Sequence, residues 1–231
     1  MALSDVRPLL VLTGVSRSYG PLPALKPVDL QLAAGHCVAL LGVNGSGKST
    51  LLRIAAGRDA PTSGQVRYGG LPLLEDALVA RTEIAMVGDT AATYPDLTVS
   101  EHLLLVAIAH GAGSAAPARV EAALAECRLA DHADALPSAL SSGQRQAMQL
   151  AAVLVRPRRL LILDEPEQRL DPGARRWLGG LLAAEKAGGT AVLLATHHVE
   201  LADAIADEVL VLLDGDVIGR GAPAEALASL R

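Results

Sequence analysis

Gly42-Val43-Asn44-Gly45-Ser46-Gly47-Lys48-Ser49 comes directly after the apolar run Cys37–Leu41 and opens a stretch of helical periodicity. Strand, glycine-rich turn and helix in that order are the context that the pattern G-x-x-x-x-G-K-[ST] requires. The glycines let successive backbone N–H groups turn inward on one oxyanion, and the helix start adds partial positive charge. The chain has only three lysines, and multiplying residue frequencies gives roughly 0.002 chance matches per sequence. In this pattern Lys48 reaches the β- and γ-phosphates of a nucleotide and the Ser49 hydroxyl is offered to Mg²⁺. Thr50 completes the candidate nucleotide-binding positions.

Composition narrows the class further. The 231 residues are 51% hydrophobic and 19% charged, enough for a sizeable core in one domain. Phe is absent, with one Trp and three Tyr, so the core must be aliphatic and few rings are left for bases to stack on. The net charge of −5 is the wrong sign for a general phosphate-backbone binder, and no nucleic acid is expected as partner. Cys37 and Cys127 form neither a metal spacing nor a disulfide framework, and Cys37, inside an apolar run, reads as a buried, inert thiol. Asp5 and Arg7 before the run Leu9–Leu12 do not make a signal peptide. The concentrated apolar stretch Leu103–Ala109 is far short of the roughly 20 residues a spanning helix needs. A cytoplasmic location is expected.

Short β-like runs alternate with helical patterns, which predicts an α/β fold with a largely parallel sheet. Leu9–Val15, Val28–Leu32, Cys37–Leu41, Gln65–Tyr68, Ile84–Val87, Leu160–Leu163 and Thr190–Ala195 read as strands. Helices are expected from Lys48 to a stop at Gly57, over Pro172–Lys186 and over Val199–Ala206. Val209–Leu213 and Val217–Ile218 flank Asp214-Gly215, a hairpin turn. From about Pro95 to Arg156 helical periods dominate, and the segment reads as a helical insertion.

The run Leu160–Leu163 ends in Asp164-Glu165. Adjacent carboxylates at the end of a buried strand need a partner, because unpaired buried charge is expensive. A solvated strand end is the plainer reading; beside a phosphate loop, Mg²⁺ held by Asp164 and a water polarised by Glu165 is the better one. Leu140-Ser141-Ser142-Gly143-Gln144 is a small-residue turn before a helix, with Ser141 or Ser142 as the N-cap.

Phosphate loop, small-residue turn and acidic strand, in this order, resemble the ATP-binding cassette of ABC transporters, including bacterial exporter ATP-binding proteins. Leu140–Gln144 is similar to that family's L-S-G-G-Q signature, with Ser142 in place of one glycine. The resemblance covers nearly the whole chain and implies a P-loop, RecA-like α/β core with an antiparallel β subdomain. The helical subdomain of about residues 95–156 would be inserted into it, all within one nucleotide-binding domain over 1–231. Tyr19 then matches the aromatic that stacks on adenine, Asp171 the loop that faces the second cassette, and His197 the switch histidine at the γ-phosphate. Glu165, His197 and Lys48 are the expected catalytic residues. Ser141, Ser142, Gly143 and Gln144 would reach the nucleotide from a second copy in a head-to-tail dimer. Asp89 stands where the family has a glutamine bound to Mg²⁺; with Ser49 and Asp164 it is an expected metal ligand, one methylene shorter and charged. His198 follows His197, but neighbours after a strand point apart, so the two are not expected to share a metal.

The resemblance implies ATP as substrate with Mg²⁺, a second nucleotide-binding domain, and an integral membrane subunit contacting the region of Asp89–Glu101. The chain would then lie on the cytoplasmic face of the cell membrane, and a compact cassette leans towards export. The rival expectation is an ATPase of the same type that clamps an assembly scaffold or a ribosome.

Overall fold

The structure, a computed structural model, describes residues 7–73, 78, 82–88, 93–168 and 170–228. β1 (Pro8–Tyr19) and β2 (Leu22–Ala33) form a long hairpin, followed by β3 (Cys37–Leu41) and α1 (Lys48–Ala55). β4 (Ser63–Tyr68), β5 (Leu71–Pro72) and β6 (Ile84–Val87) come next. α2 (Val99–Ala109), α3 (Ala116–Glu126) and α4 (Ser142–Leu154) then precede β7 (Leu160–Asp164). The chain continues through α5 (Pro172–Ala187), β8 (Ala191–Thr196), α6 (Val199–Ile205), β9 (Glu208–Leu213), β10 (Asp216–Gly221) and α7 (Pro223–Ala228).

Two sheets organise these elements. A six-stranded sheet runs β10-β9-β3-β8-β7-β6, parallel except for the β9–β10 hairpin. A four-stranded antiparallel sheet runs β2-β1-β4-β5. The parallel strands are covered on both faces, which is why they read as unbroken apolar runs. In β7, Leu161 and Leu163 pack with the helices of one face, and Leu160 and Ile162 with α1 and the antiparallel sheet on the other. β8 repeats the pattern with Val192 and Leu194 against Ala191, Leu193 and Ala195. The largest fully buried side chains are Leu, Ile and Met, as a chain without Phe must arrange.

The first hairpin differs from the sequence expectation. β1 and β2 each run 12 residues, through a bulge near Gly14 and across Pro23 and Pro27. β2 is an edge strand, paired on one side only, where prolines are tolerated. α1 ends before Gly57, which takes a left-handed φ of 67° just beyond the cap.

Between β6 and β7 the described residues are helical or irregular, without a strand. α2 starts with a capping box of Thr98 and Glu101. α4 starts with another, which settles the N-cap as Ser141: its hydroxyl accepts from the Gln144 N–H, and the Gln144 amide oxygen accepts from the Ser141 N–H. This block is fastened to the core by the Trp177 indole of α5, which donates to the Glu126 carbonyl at 2.9 Å.

Both cysteines are buried and free, and burial pushes each thiol up to about 12. At pH 8 only about one part in 10⁴ is then thiolate, the reactive form. A thiol-reactive chromophore is therefore expected to label neither cysteine in the folded protein and both after unfolding.

Candidate functional site

Strand register builds the site. Leu41 lies beside Thr196, and Asp164 beside Ala195, so β3, β7 and β8 end level with one another. The segments leaving these ends are the Gly42–Gly47 turn, Glu165 and His197, at the carboxyl edge of a parallel sheet where ligands of α/β folds bind.

Gly47 caps α1 with φ of 102°, and a Cβ there would sit 2.8 Å from the Ala24 carbonyl oxygen. Only glycine combines that backbone with that closeness. Lys48 is buried and its ammonium donates to the carbonyls of Gly42 (2.8 Å) and Val43 (3.1 Å). It also lies 3.4 Å from a Glu165 carboxylate oxygen. Ser46 is buried beneath the turn, with a hydroxyl that has no hydrogen-bond partner among the described residues.

A cavity of about 370 Å³ opens over this turn, within the ~300–1,000 Å³ of small-molecule sites. Asn44, Gly45, Gly47, Lys48, Ser49 and Thr50 line it from the turn and α1, and Asp164 and Glu165 from the end of β7. Gln146, Gln149 and Gln168 also line it; none was expected from the sequence. Gln146 and Gln149 stand three apart on α4, the spacing that puts two side chains on one helix face and the signal by which they could have been found. The Gln168 amide donates to Glu165 at 2.5 Å.

Glu165 carries a left-handed backbone, φ 48°, unusual for a residue with a side chain. Such a conformation costs of order 1–3 kcal/mol and concentrates at functional sites. Its carboxylate stands between Lys48, Gln168 and His197, whose Nδ1 is 3.7 Å away.

Tyr19 ends β1, 43% exposed, and does not line the cavity. Its hydroxyl donates to Asp59 at 2.6 Å and accepts from Arg53 at 3.2 Å, tying it to α1. The Arg17 guanidinium covers one ring face at 4.7 Å. Ser141, Gly143 and Gln144 line a separate hollow with Leu170, Asp171 and Trp177. Within one chain they are not brought to the phosphate turn. Asp171 caps α5, and the N–H groups of Ala174 and Gly173 hold its carboxyl below the usual range. Asp89 lies outside the described residues.

The expectation that His197 and His198 point apart is overturned. Their ring centroids are 4.4 Å apart and the planes 37° from parallel. β8 ends at Thr196, so strand alternation stops there; His198 instead becomes the N-cap of α6, its N–H donating to the Thr196 hydroxyl at 2.9 Å.

A glycine turn between strand and helix, a buried lysine across it and two acids at the end of β7, one strand beyond β8, define a P-loop nucleotide-binding site. The family model described as ABC transporter matches residues 25–168, and the chain belongs to that family. It is an ATP-hydrolysing cassette with a P-loop α/β core. The chain is 38% identical to the Nod factor export ATP-binding protein I of Paraburkholderia xenovorans over 93% of its own length and 71% of the relative's. It is 40% identical to an aliphatic sulfonates import ATP-binding protein of Pseudomonas putida, over 88% of its length and 73% of the relative's. Among solved structures it resembles an ATP-binding subunit of an ABC transporter (32% identity, TM-score 0.84, covering 93% of this chain and 90% of that one). It also resembles a bacterial ABC transporter cassette solved as a dimer (26% identity, TM-score 0.85, covering 93% and 98%).

Proposed function

We propose that the chain is the ATPase subunit of a bacterial exporter, working as a head-to-tail dimer on a separate integral membrane subunit at the cytoplasmic face. One observation carries the dimer. The phosphate turn and the Ser141–Gln144 segment line different hollows of one chain, so a nucleotide at the first meets the second only from another copy. The solved dimer of a similar cassette supports the arrangement. No helix among the described residues is long and apolar enough to cross a membrane, which favours a separate spanning partner. Export is supported by the Nod factor export relatives, which match 91–96% of the chain at 33–38% identity, against 88–90% for the sulfonate importers at 39–40% identity.

Lys48 lines the cavity, held by the Gly42 and Val43 carbonyls and by Glu165, and a phosphate there exchanges one of these contacts for a charge-assisted one. The N–H groups of the turn and of α1 supply further donors. Glu165, held by Lys48 and Gln168, is placed to align or deprotonate the attacking water, and His197 to meet the γ-phosphate. The Ser49 hydroxyl and the Asp164 carboxylate line the same cavity, an oxygen-only donor pair that suits Mg²⁺. When bound, that ion neutralises charge on the β- and γ-phosphates. Ser141, Ser142, Gly143 and Gln144 would close the site from the second copy.

Tyr19 presents its uncovered ring face to the base. Stacking on an aromatic is worth roughly 1–3 kcal/mol, so Tyr19→Ala is expected to weaken ATP binding about 5- to 150-fold, measured by calorimetry. Tyr19→Phe keeps the ring, loses only the hydroxyl contacts with Asp59 and Arg53 and should bind near normally. Equal affinity in Tyr19→Ala and wild type would remove the residue from the base site.

Fractionation tests the proposal as a whole. The tagged chain in its own host is expected in the membrane fraction, released by alkaline carbonate and cross-linked to a polytopic protein. Recovery on a ribosome or a scaffold complex, with none on membranes, would overturn it in favour of the rival reading.

A further inference from the structure

We propose that Glu167, His197 and His198 form a binding site for a borderline divalent transition ion, Zn²⁺ foremost, that engages His197 and slows hydrolysis. One ligand atom of each lies within 4.8 Å of the other two. The turn after β8 makes this possible, because it folds both imidazoles to one side. Glu167 supplies the independent sign of a missing cation. It is 1% exposed; one carboxylate oxygen accepts from the Thr196 hydroxyl, and Oε2 is buried with no hydrogen-bond partner among the described residues. A buried carboxylate oxygen left bare is costly unless a charge meets it. Oε1 is the oxygen shown to face the imidazoles, 4.0 Å from His197 Nδ1, whose side chain is 48% exposed, so an ion between them would meet this carboxylate and offset the charge that Oε2 leaves bare.

Two imidazoles and a carboxylate suit Zn²⁺, Co²⁺ or Ni²⁺ rather than Mg²⁺, and leave positions open for water. Bonds of about 2.0–2.1 Å around a tetrahedral ion place ligand atoms roughly 3.4 Å apart. The site must therefore tighten by about 1.5 Å at most, which rotation of the exposed His197 side chain can supply for its own two distances and rotation of the half-buried His198 for the third. The Arg175 guanidinium, 3.3 Å from His198 Nδ1, must give way to the ion, so the site is a modest binder that fills as free metal rises. The ion is separate from the Mg²⁺ pair Ser49 and Asp164. Binding rests on this geometry alone; its effect on turnover rests also on the role proposed for His197.

The test is a Co²⁺ titration of nucleotide-free protein in excess Mg²⁺, followed by visible absorption and competed with Zn²⁺. Wild type is expected to develop the bands of nitrogen-ligated Co²⁺. His198→Asn, which keeps an N-cap residue for α6, and Glu167→Gln are each expected to weaken Co²⁺ at least about tenfold, the least that even outer-shell partners are worth. His198→Asn should keep its metal-free ATPase rate and escape inhibition by Zn²⁺. No Co²⁺ uptake by wild type, or equal uptake by wild type and His198→Asn, would overturn the site whatever becomes of Glu167→Gln. Equal Zn²⁺ inhibition of wild type and His198→Asn would overturn the control of turnover.

Discussion

Glu165→Gln is expected to lower phosphate release by about the 10²–10⁴ that a general base contributes, while ATP affinity holds or rises. The carboxylate has little to do with binding. Its contacts in the structure are with Lys48, Gln168 and His197, and the proposed site leaves the phosphates to Lys48 and the backbone of the turn. Glutamine keeps the size and one accepting oxygen, gives up one of the contacts with Lys48 and Gln168, and removes the basic oxygen and its repulsion of the γ-phosphate. The left-handed backbone at this residue suits glutamine no better and no worse, so stability should change little. A variant that turns over at the wild-type rate would take Glu165 out of the reaction.

Lys48→Ala is the second large effect, and it strikes both binding and rate. The ammonium is buried and bridges two carbonyls and a carboxylate, so a phosphate entering the cavity meets a charge that is already placed. Hydrogen bonds to charged groups contribute about 1.5–3 kcal/mol, which predicts roughly 10- to 150-fold weaker ATP. Turnover should fall further, by about 10²–10³ as for other donors aimed at developing charge. Alanine is a good helix former at the start of α1, so the fold is expected to persist. Lys48→Arg should not rescue, because a planar fork does not replace a point charge seated between the Gly42 and Val43 carbonyls. Calorimetry with ATP and a steady-state phosphate assay separate the two losses.

Much of this site is legible in the amino-acid sequence, for a physical reason. Cys37–Leu41 and Leu160–Leu163 are strands buried on both faces, and such strands write themselves as continuous apolar runs whose ends are easily seen. The glycine turn leaves the end of the first run and Asp164-Glu165 the end of the second, and both lie at one edge of one sheet. The prolines of β2 mislead, because their tolerance depends on lying at a sheet edge, a fact of topology that local pattern does not carry. His197 and His198 mislead for a related reason. Strand alternation does not extend past Thr196, where a helix cap sets the directions instead. Glu167 is invisible in the sequence, since its burial and its contact with Thr196 come from packing between two strand ends. The separation of Ser141–Gln144 from the phosphate turn likewise emerges only once α4 is placed.

The composite site is the central claim, and size-exclusion chromatography of Glu165→Gln tests it most directly. With hydrolysis slowed, ATP should stay bound and join two chains, because a ligand that binds the dimer preferentially stabilises it by mass action. A dimer is expected with Mg-ATP, monomers with ADP or without nucleotide, and a return to monomer when Ser141→Arg is added to block the contact from the second copy. A variant that binds Mg-ATP yet elutes as a monomer at high protein concentration, or a dimer indifferent to Ser141→Arg, would contradict the composite site.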